Sequence, residues 1–262
     1  MNYDIGDLLK DWQFDPDEFT ARRIKGEDGS EKIQIRIDMG LLQLEVEGRP
    51  DRERPHGCES LLAYYESRRY AQERFGRGES LQLDEEECQD LFQEAWQYYH
   101  RYLSLFYLED YAGVVRDTEH TMRIFELVQS CSDDDEVKWH FEQYYPHAIM
   151  MRVRALAMQA LGEENYAAAL GEVEEGIQQL QRFVDDFEGE MPEEDLPEMV
   201  FLREWQEELE QEKPLSPREE LERDLQVAVE AENFEEAARL RDKINTLRPP
   251  GRPPILRRPR SS

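Results

Sequence analysis

Apolar and polar residues alternate with a period of two only near the start of the chain. In residues 32–38 (Lys-Ile-Gln-Ile-Arg-Ile-Asp) the alternation puts Ile33, Ile35 and Ile37 on one face, and in residues 41–47 it groups Leu42, Leu44 and Val46. Glu27-Asp28-Gly29-Ser30 supplies a turn before them, so residues 1–56 read as a two- or three-stranded antiparallel meander followed by a loop over residues 48–57. A sheet this small must lay its apolar face on helices to be stable. From residue 57 to 187 the period is helical almost throughout. Residues 188–213 open with an acidic, proline-marked loop and continue as a connecting helix, with Met199, Leu202, Trp205 and Leu209 at core spacing and Pro197 in the first turn. Residues 214–247 form a helical hairpin. Leu221, Leu225, Ala228 and Val229 recur at helical intervals, Glu232 and Asn233 interrupt, and Phe234, Ala237, Ala238, Ile244 and Leu247 resume the period. Ser216 is the expected cap and Pro217 the first helical residue. The tail, residues 248–262, is rich in proline and arginine and is expected to be extended and disordered.

Two corners within the helical region share a pattern: Leu108-Glu109-Asp110-Tyr111-Ala112-Gly113 and Leu161-Gly162-Glu163-Glu164-Asn165-Tyr166. Both resemble the Leu-Gly-Asp-Tyr corners of tetratricopeptide repeats. The first carries Glu109 where glycine is usual, the second holds two extra residues between Gly162 and Tyr166, and the 55-residue spacing exceeds the usual period of about 34. The expected fold is therefore mainly α, with a small N-terminal β meander packed on a tetratricopeptide-like bundle and a C-terminal hairpin behind it. Aromatic residues crowd two helical stretches, Trp96, Tyr98, Tyr99, Tyr102, Phe106 and Tyr107 in one and Trp139, Phe141, Tyr144 and Tyr145 in the other. They serve either as bulky filler between helices or, because they wrap over half a helix circumference, partly as the lining of a groove.

The hairpin has the most specific spacing in the chain. The run from Asn233 to Ile244 (Asn-Phe-Glu-Glu-Ala-Ala-Arg-Leu-Arg-Asp-Lys-Ile), with Leu225 and Ala228 upstream, resembles the UVR motif of excinuclease subunits B and C and of some adaptors of Clp-type proteases. In that family the hairpin pairs with another copy of itself or with a partner's copy. The resemblance implies a bacterial docking module whose partner-binding residues are Leu225, Ala228, Phe234, Ala237, Ala238, Arg241 and Asp242. Its partner is a UVR-bearing protein, an excinuclease subunit or a protease adaptor or chaperone. Ala237 and Ala238 allow close helix approach. Phe234 either inserts into a partner or staples the turn against Leu225 or Val229, and Arg241 and Asp242 are either motif residues or a solvated pair. The zinc-binding cysteine pairs of some protease adaptors and the helicase and nuclease motifs of the repair subunits are absent from this sequence.

Charge narrows the function classes. Among 262 residues, 61 acids face 32 Lys and Arg, a formal net charge of −29. Removing the five arginines of the acid-free tail leaves −34 on residues 1–247, which argues against nonspecific nucleic-acid binding by the body. Arg252, Arg257, Arg258 and Arg260 are candidate phosphate contacts that would give weak, salt-sensitive nucleic-acid binding, a second functional reading; a homodimer formed through the hairpins is a third. Cys58, Cys88 and Cys131 are an odd, scattered set without metal-ligand spacing, which favours a reducing cytoplasm. The five histidines are dispersed too, and His140 and His147 lie seven apart beside Pro146, not the three or four a helical ligand pair needs. Phosphate loops, dinucleotide fingerprints, export signals and long apolar runs are all missing. The expectation is a noncatalytic protein without metal, cofactor or membrane partner.

Overall fold

The early alternation folds into a three-stranded antiparallel sheet, β1 (Ala21–Lys25), β2 (Glu31–Ile37) and β3 (Gly40–Glu45), in the order β1-β2-β3. The computed structural model describes residues 4–76, 80–186, 196–215 and 217–246. Register pairs Ile33 with Leu44 and Ile35 with Leu42. These side chains and Val46 pack on Tyr102, Leu105, Val114, Met151 and Ala155, so the sheet rests on helices as its size requires. Ile37 departs from the expected face. It pairs with Gly40 at the tip of the β2–β3 hairpin and remains 40% exposed. The polar face is also covered: Lys32 and Gln34 are buried, Lys32 pairs with Glu45, and Gln34 accepts from Arg22 Nε at 2.9 Å. Arg22 and Arg36 in turn hold the segment before the sheet through the Leu8 and Trp12 carbonyls. Strand β1 carried no apolar alternation and is specified by its pairing with β2.

The helices are α1 (Gly6–Leu9), α2 (Leu61–Phe75), α3 (Glu85–Tyr107), α4 (Tyr111–Cys131), α5 (Asp135–Glu142), α6 (Tyr145–Gly162), α7 (Tyr166–Asp186), α8 (Pro197–Glu212), α9 (Pro217–Glu230) and α10 (Phe234–Thr246), with a 3-10 turn at Pro55–Gly57. The chain forms two units, Met1–Glu210 and Gln211–Ser262. In the first, helices α2 to α5 enclose one core around Leu62, Leu91, Ile124, Val128 and Phe141. Helices α6 to α8 enclose another around Val153, Val173, Leu180, Met199 and Leu202. Gly176 lets α6 and α7 close, since a Cβ there would lie 2.4 Å from Val153 Cγ2. Leu202 and Leu209 face this core and Trp205 packs at its edge, in keeping with the connecting-helix pattern.

Three helix pairs turn through one and the same corner. At α3–α4, α6–α7 and α9–α10 the middle linker residue is a glutamate with left-handed backbone: Glu109, Glu164 and Glu232, with φ of 59°, 58° and 55°. The next residue donates its N–H five residues back, Asp110 to Leu105 O (2.8 Å), Asn165 to Ala160 O (2.9 Å) and Asn233 to Ala228 O (2.8 Å), which closes a Schellman motif. Its side chain simultaneously caps the following helix, accepting from the N–H of Gly113, Ala168 and Glu236. The corner thus corrects the sequence alignment. Glu109 corresponds to Glu164, not to Gly162, and no extra residues separate the two copies; the left-handed position is filled by Glu164 while Gly162 remains inside α6. The acidic loop over residues 188–195, the cap Ser216 and the tail lie outside the described residues.

Candidate docking surfaces

Within the C-terminal unit, Ala228, Ala237 and Leu240 are buried between α9 and α10, and Leu221 and Leu225 pack partly against them. Positions 221, 225 and 228 form one stripe of α9, while 237 and 240 face them from α10. Ala237 leaves the close approach expected of it, opposite Ala228 on α9. Ala238 does not share it: one residue further on, its side chain is turned by 100° and is exposed. Leu240 takes the seam position that the sequence reading gave to Ala238, a place three residues beyond Ala237 that the helical period marks.

Phe234 is 71% exposed and outside the seam, so it does not staple the turn. Phe234, Ala238 and Arg241 follow one another at i, i+4 and i+7 as an outward stripe. Val227 and Val229 are also exposed on α9. Arg241 reaches Asp242 only at 4.0 Å with both side chains in solvent, a pairing of little weight. A seam this thin on helices of 14 and 13 residues leaves an aromatic, partly apolar face to be covered.

The N-terminal unit holds a second concave surface. Phe92, Trp96, Tyr99 and Tyr102 on α3, Phe125 on α4, and Tyr144 and His147 at the start of α6 line a small, mostly apolar pocket. Trp96 and Tyr99 stack at 4.9 Å with planes 9° apart, and Trp96 is 46% exposed. Tyr102 Oη lies 3.1 Å from His147 Nδ1, and burial, reinforced by the charge of Arg154, holds the His147 imidazole below its usual range and so neutral. A groove lined by Glu85, Asp134, Glu136 and His140 begins at Phe92, the residue the two surfaces share. The aromatic crowding therefore serves both purposes. Tyr98, Tyr102 and Phe141 fill the core, and Trp96 and Tyr144 open to solvent.

Tertiary packing also gathers charged residues that sequence spacing kept apart. The buried Glu94 carboxylate accepts from the N–H groups of Leu61 (2.8 Å) and Leu62 (3.2 Å) at the start of α2 and lies 3.0 Å from His120 Nε2. His120 stacks on Tyr98 at 3.7 Å, and Arg101 sits over the other side of the network, 4.8 Å from the Tyr98 ring, donating to the carbonyls of Glu45 and Gly48. Every member is occupied in holding the loop after β3 and the start of α2 to α3 and α4, a structural use of polar groups. Burial pushes the Cys88 thiol up to about 11, an unreactive cysteine. Among the described residues no group of three His, Cys, Asp or Glu is placed to hold a metal ion, and no helix is long and apolar enough to cross a membrane. Arg252, Arg257, Arg258 and Arg260 lie outside the described residues.

Residues 217–248 match the family model described as the UvrB/uvrC motif, the span of α9 and α10. No curated protein and no solved structure matches the chain. The C-terminal hairpin is thus a UVR motif, a module that points to protein–protein interaction with UvrB/UvrC-type proteins.

Proposed function

We propose that this chain is a noncatalytic adaptor that docks through its UVR hairpin onto a UVR-bearing partner, while the helical N-terminal unit presents a second binding surface. The observation that carries the reading is Phe234, an aromatic ring at the turn of a matched UVR motif and 71% exposed outside the hairpin's own seam. Aromatic side chains are enriched at the cores of protein–protein interfaces, where a few of them carry most of the binding energy. The stripe of Phe234, Ala238 and Arg241 supplies the contact, and the seam of Leu225, Ala228 and Ala237 sets its shape. The partner is an excinuclease subunit or a component of a Clp-type protease system, and the setting is the bacterial cytoplasm.

Biolayer interferometry of the full chain against purified excinuclease subunits B and C and a Clp-type adaptor tests this. Phe234→Ala is expected to weaken binding by roughly tenfold or more, an anchor-sized effect, with an unchanged far-ultraviolet circular dichroism spectrum. Equal affinity of Phe234→Ala and the parent for every partner that binds would sink the docking role. Binding only between copies of the chain would replace it with a homodimer.

A further inference from the structure

We propose that the aromatic pocket of the N-terminal unit, together with the acidic groove that leaves it at Phe92, docks the proline- and arginine-rich segment 248–262 of a second copy of this chain. The pocket is lined by Trp96 and Tyr99, which stack on each other with planes 9° apart and leave Trp96 46% exposed, and its lining carries no lysine or arginine. The groove is lined by the carboxylates of Glu85, Asp134 and Glu136, again with no lysine or arginine. Asp134 is engaged in capping α5, whereas Glu85 and Glu136 are exposed and form no ion pair among the described residues. Flat aromatic faces continuous with unpaired carboxylates select a ligand with two properties. Its apolar parts must be rigid and lie flat on rings, and its charge must be positive.

Proline-rich segments meet the first condition, because the extended polyproline helix is preformed and packs on aromatic-lined grooves. Arginine meets the second, pairing with carboxylates and stacking on aromatic faces. The chain carries a segment with both: residues 248–262 hold five prolines, five arginines and no acid. The body that receives them, residues 1–247, has a formal charge of −34 once the tail's five arginines are set aside. An acidic peptide would meet like charge along the whole groove.

The test uses a fluorescein-labelled peptide of residues 248–262, titrated with a chain ending at Thr246, which retains every described element, and read by anisotropy. Saturable binding is expected. Trp96→Ala should weaken it by about tenfold, as loss of one stacking face does, and Glu136→Lys should weaken it and flatten its salt dependence. A peptide with the five prolines replaced by serine, arginines kept, should bind several-fold more weakly. Sedimentation of the full chain should show a concentration-dependent dimer that is lost both in Trp96→Ala and on removal of residues 248–262. Equal binding of the serine peptide would reduce the effect to bare charge attraction and overturn the proposal. So would affinity unchanged in Trp96→Ala with a parental circular dichroism spectrum, a monomer mass at every concentration, or a dimer that survives both changes.

Discussion

Arg101 and Asp117 form a two-point ion pair sealed from water: Nε lies 2.6 Å from Oδ2 and Nη2 2.8 Å from Oδ1, with the two side chains 1% and 0% exposed. The pair joins α3 to α4 and is the node from which the loop after β3 hangs, since Arg101 Nη1 donates to Glu45 O and Gly48 O and Arg116 adds a second contact to Asp117 at 2.9 Å. Because removal of one partner strands a buried charge, Asp117→Ala is expected to lower unfolding free energy by about 3–5 kcal/mol. Urea unfolding of the full chain checks it; a loss below about 1 kcal/mol would place the pair among inconsequential surface pairs.

Gly176 and Val153 set the spacing of α6 and α7. The 2.4 Å approach to Val153 Cγ2 means that Gly176→Ala must push the helices apart or distort the valine, at a cost of about 1–3 kcal/mol. Val153→Ala removes the clashing methyls, so the double variant should lose less than the sum of the two single changes. Strict additivity in a thermal-melt double-mutant cycle would contradict this contact.

The corner glutamates hold a conformation that disfavours any side chain. Glu109 and Glu164 sit in the left-handed region that glycine adopts freely, and Glu109→Gly and Glu164→Gly should each stabilise the N-terminal unit by about 0.5–1 kcal/mol, the left-handed penalty relieved less the entropy of glycine. Destabilisation by either change, read from urea midpoints, would show that the glutamate side chain contributes more than its backbone costs.

Asp28 gives the β1–β2 turn a pH dependence. Its carboxylate accepts from Ser30 Oγ at 2.6 Å and Ser30 N at 3.1 Å, and these bonds, with the charges of Lys32 and Arg52, hold its pKa at about 2 against an ordinary 3.8. A folded pKa below the unfolded one means that the ionised carboxylate stabilises the turn. That contribution is complete above pH 3.8 and is lost as pH falls through about 2. Carboxyl NMR titration should place the Asp28 midpoint near 2 and show Ser30→Ala moving it upward; a midpoint at the ordinary value would refute the hydrogen-bonded turn.

Local pattern was enough for much of this molecule. Alternation at Ile33 and Ile35 against Leu42 and Leu44 specified two strands, because a period of two leaves a half-buried strand no other face to choose. Helical spacing located the UVR hairpin, and the seam of Leu225, Ala228 and Ala237 followed from the same period. What repetition alone misaligned was the corner. The sequence drew attention to Gly162 as the turn-former, whereas the Schellman closure recruits Glu164, and only the backbone angle distinguishes them.

Strand β1, the exposure of Phe234, the outward turn of Ala238, the pocket at Trp96 and the network of Glu94, His120, Arg101 and Asp117 were decided by tertiary structure. Each depends on which surfaces meet across tens of residues, and no local period records that. A carboxylate such as Glu94 among 61 acids is indistinguishable in sequence from a solvated helix face until folding removes its water and supplies the Leu61 and Leu62 amides in exchange. The sequence by itself determined strands β2 and β3, the helical character of the rest and the UVR hairpin, because hydrophobic period and turn chemistry act between near neighbours. The tertiary structure determined which polar groups are buried together and which aromatic faces stay open, because desolvation is a property of the packed whole.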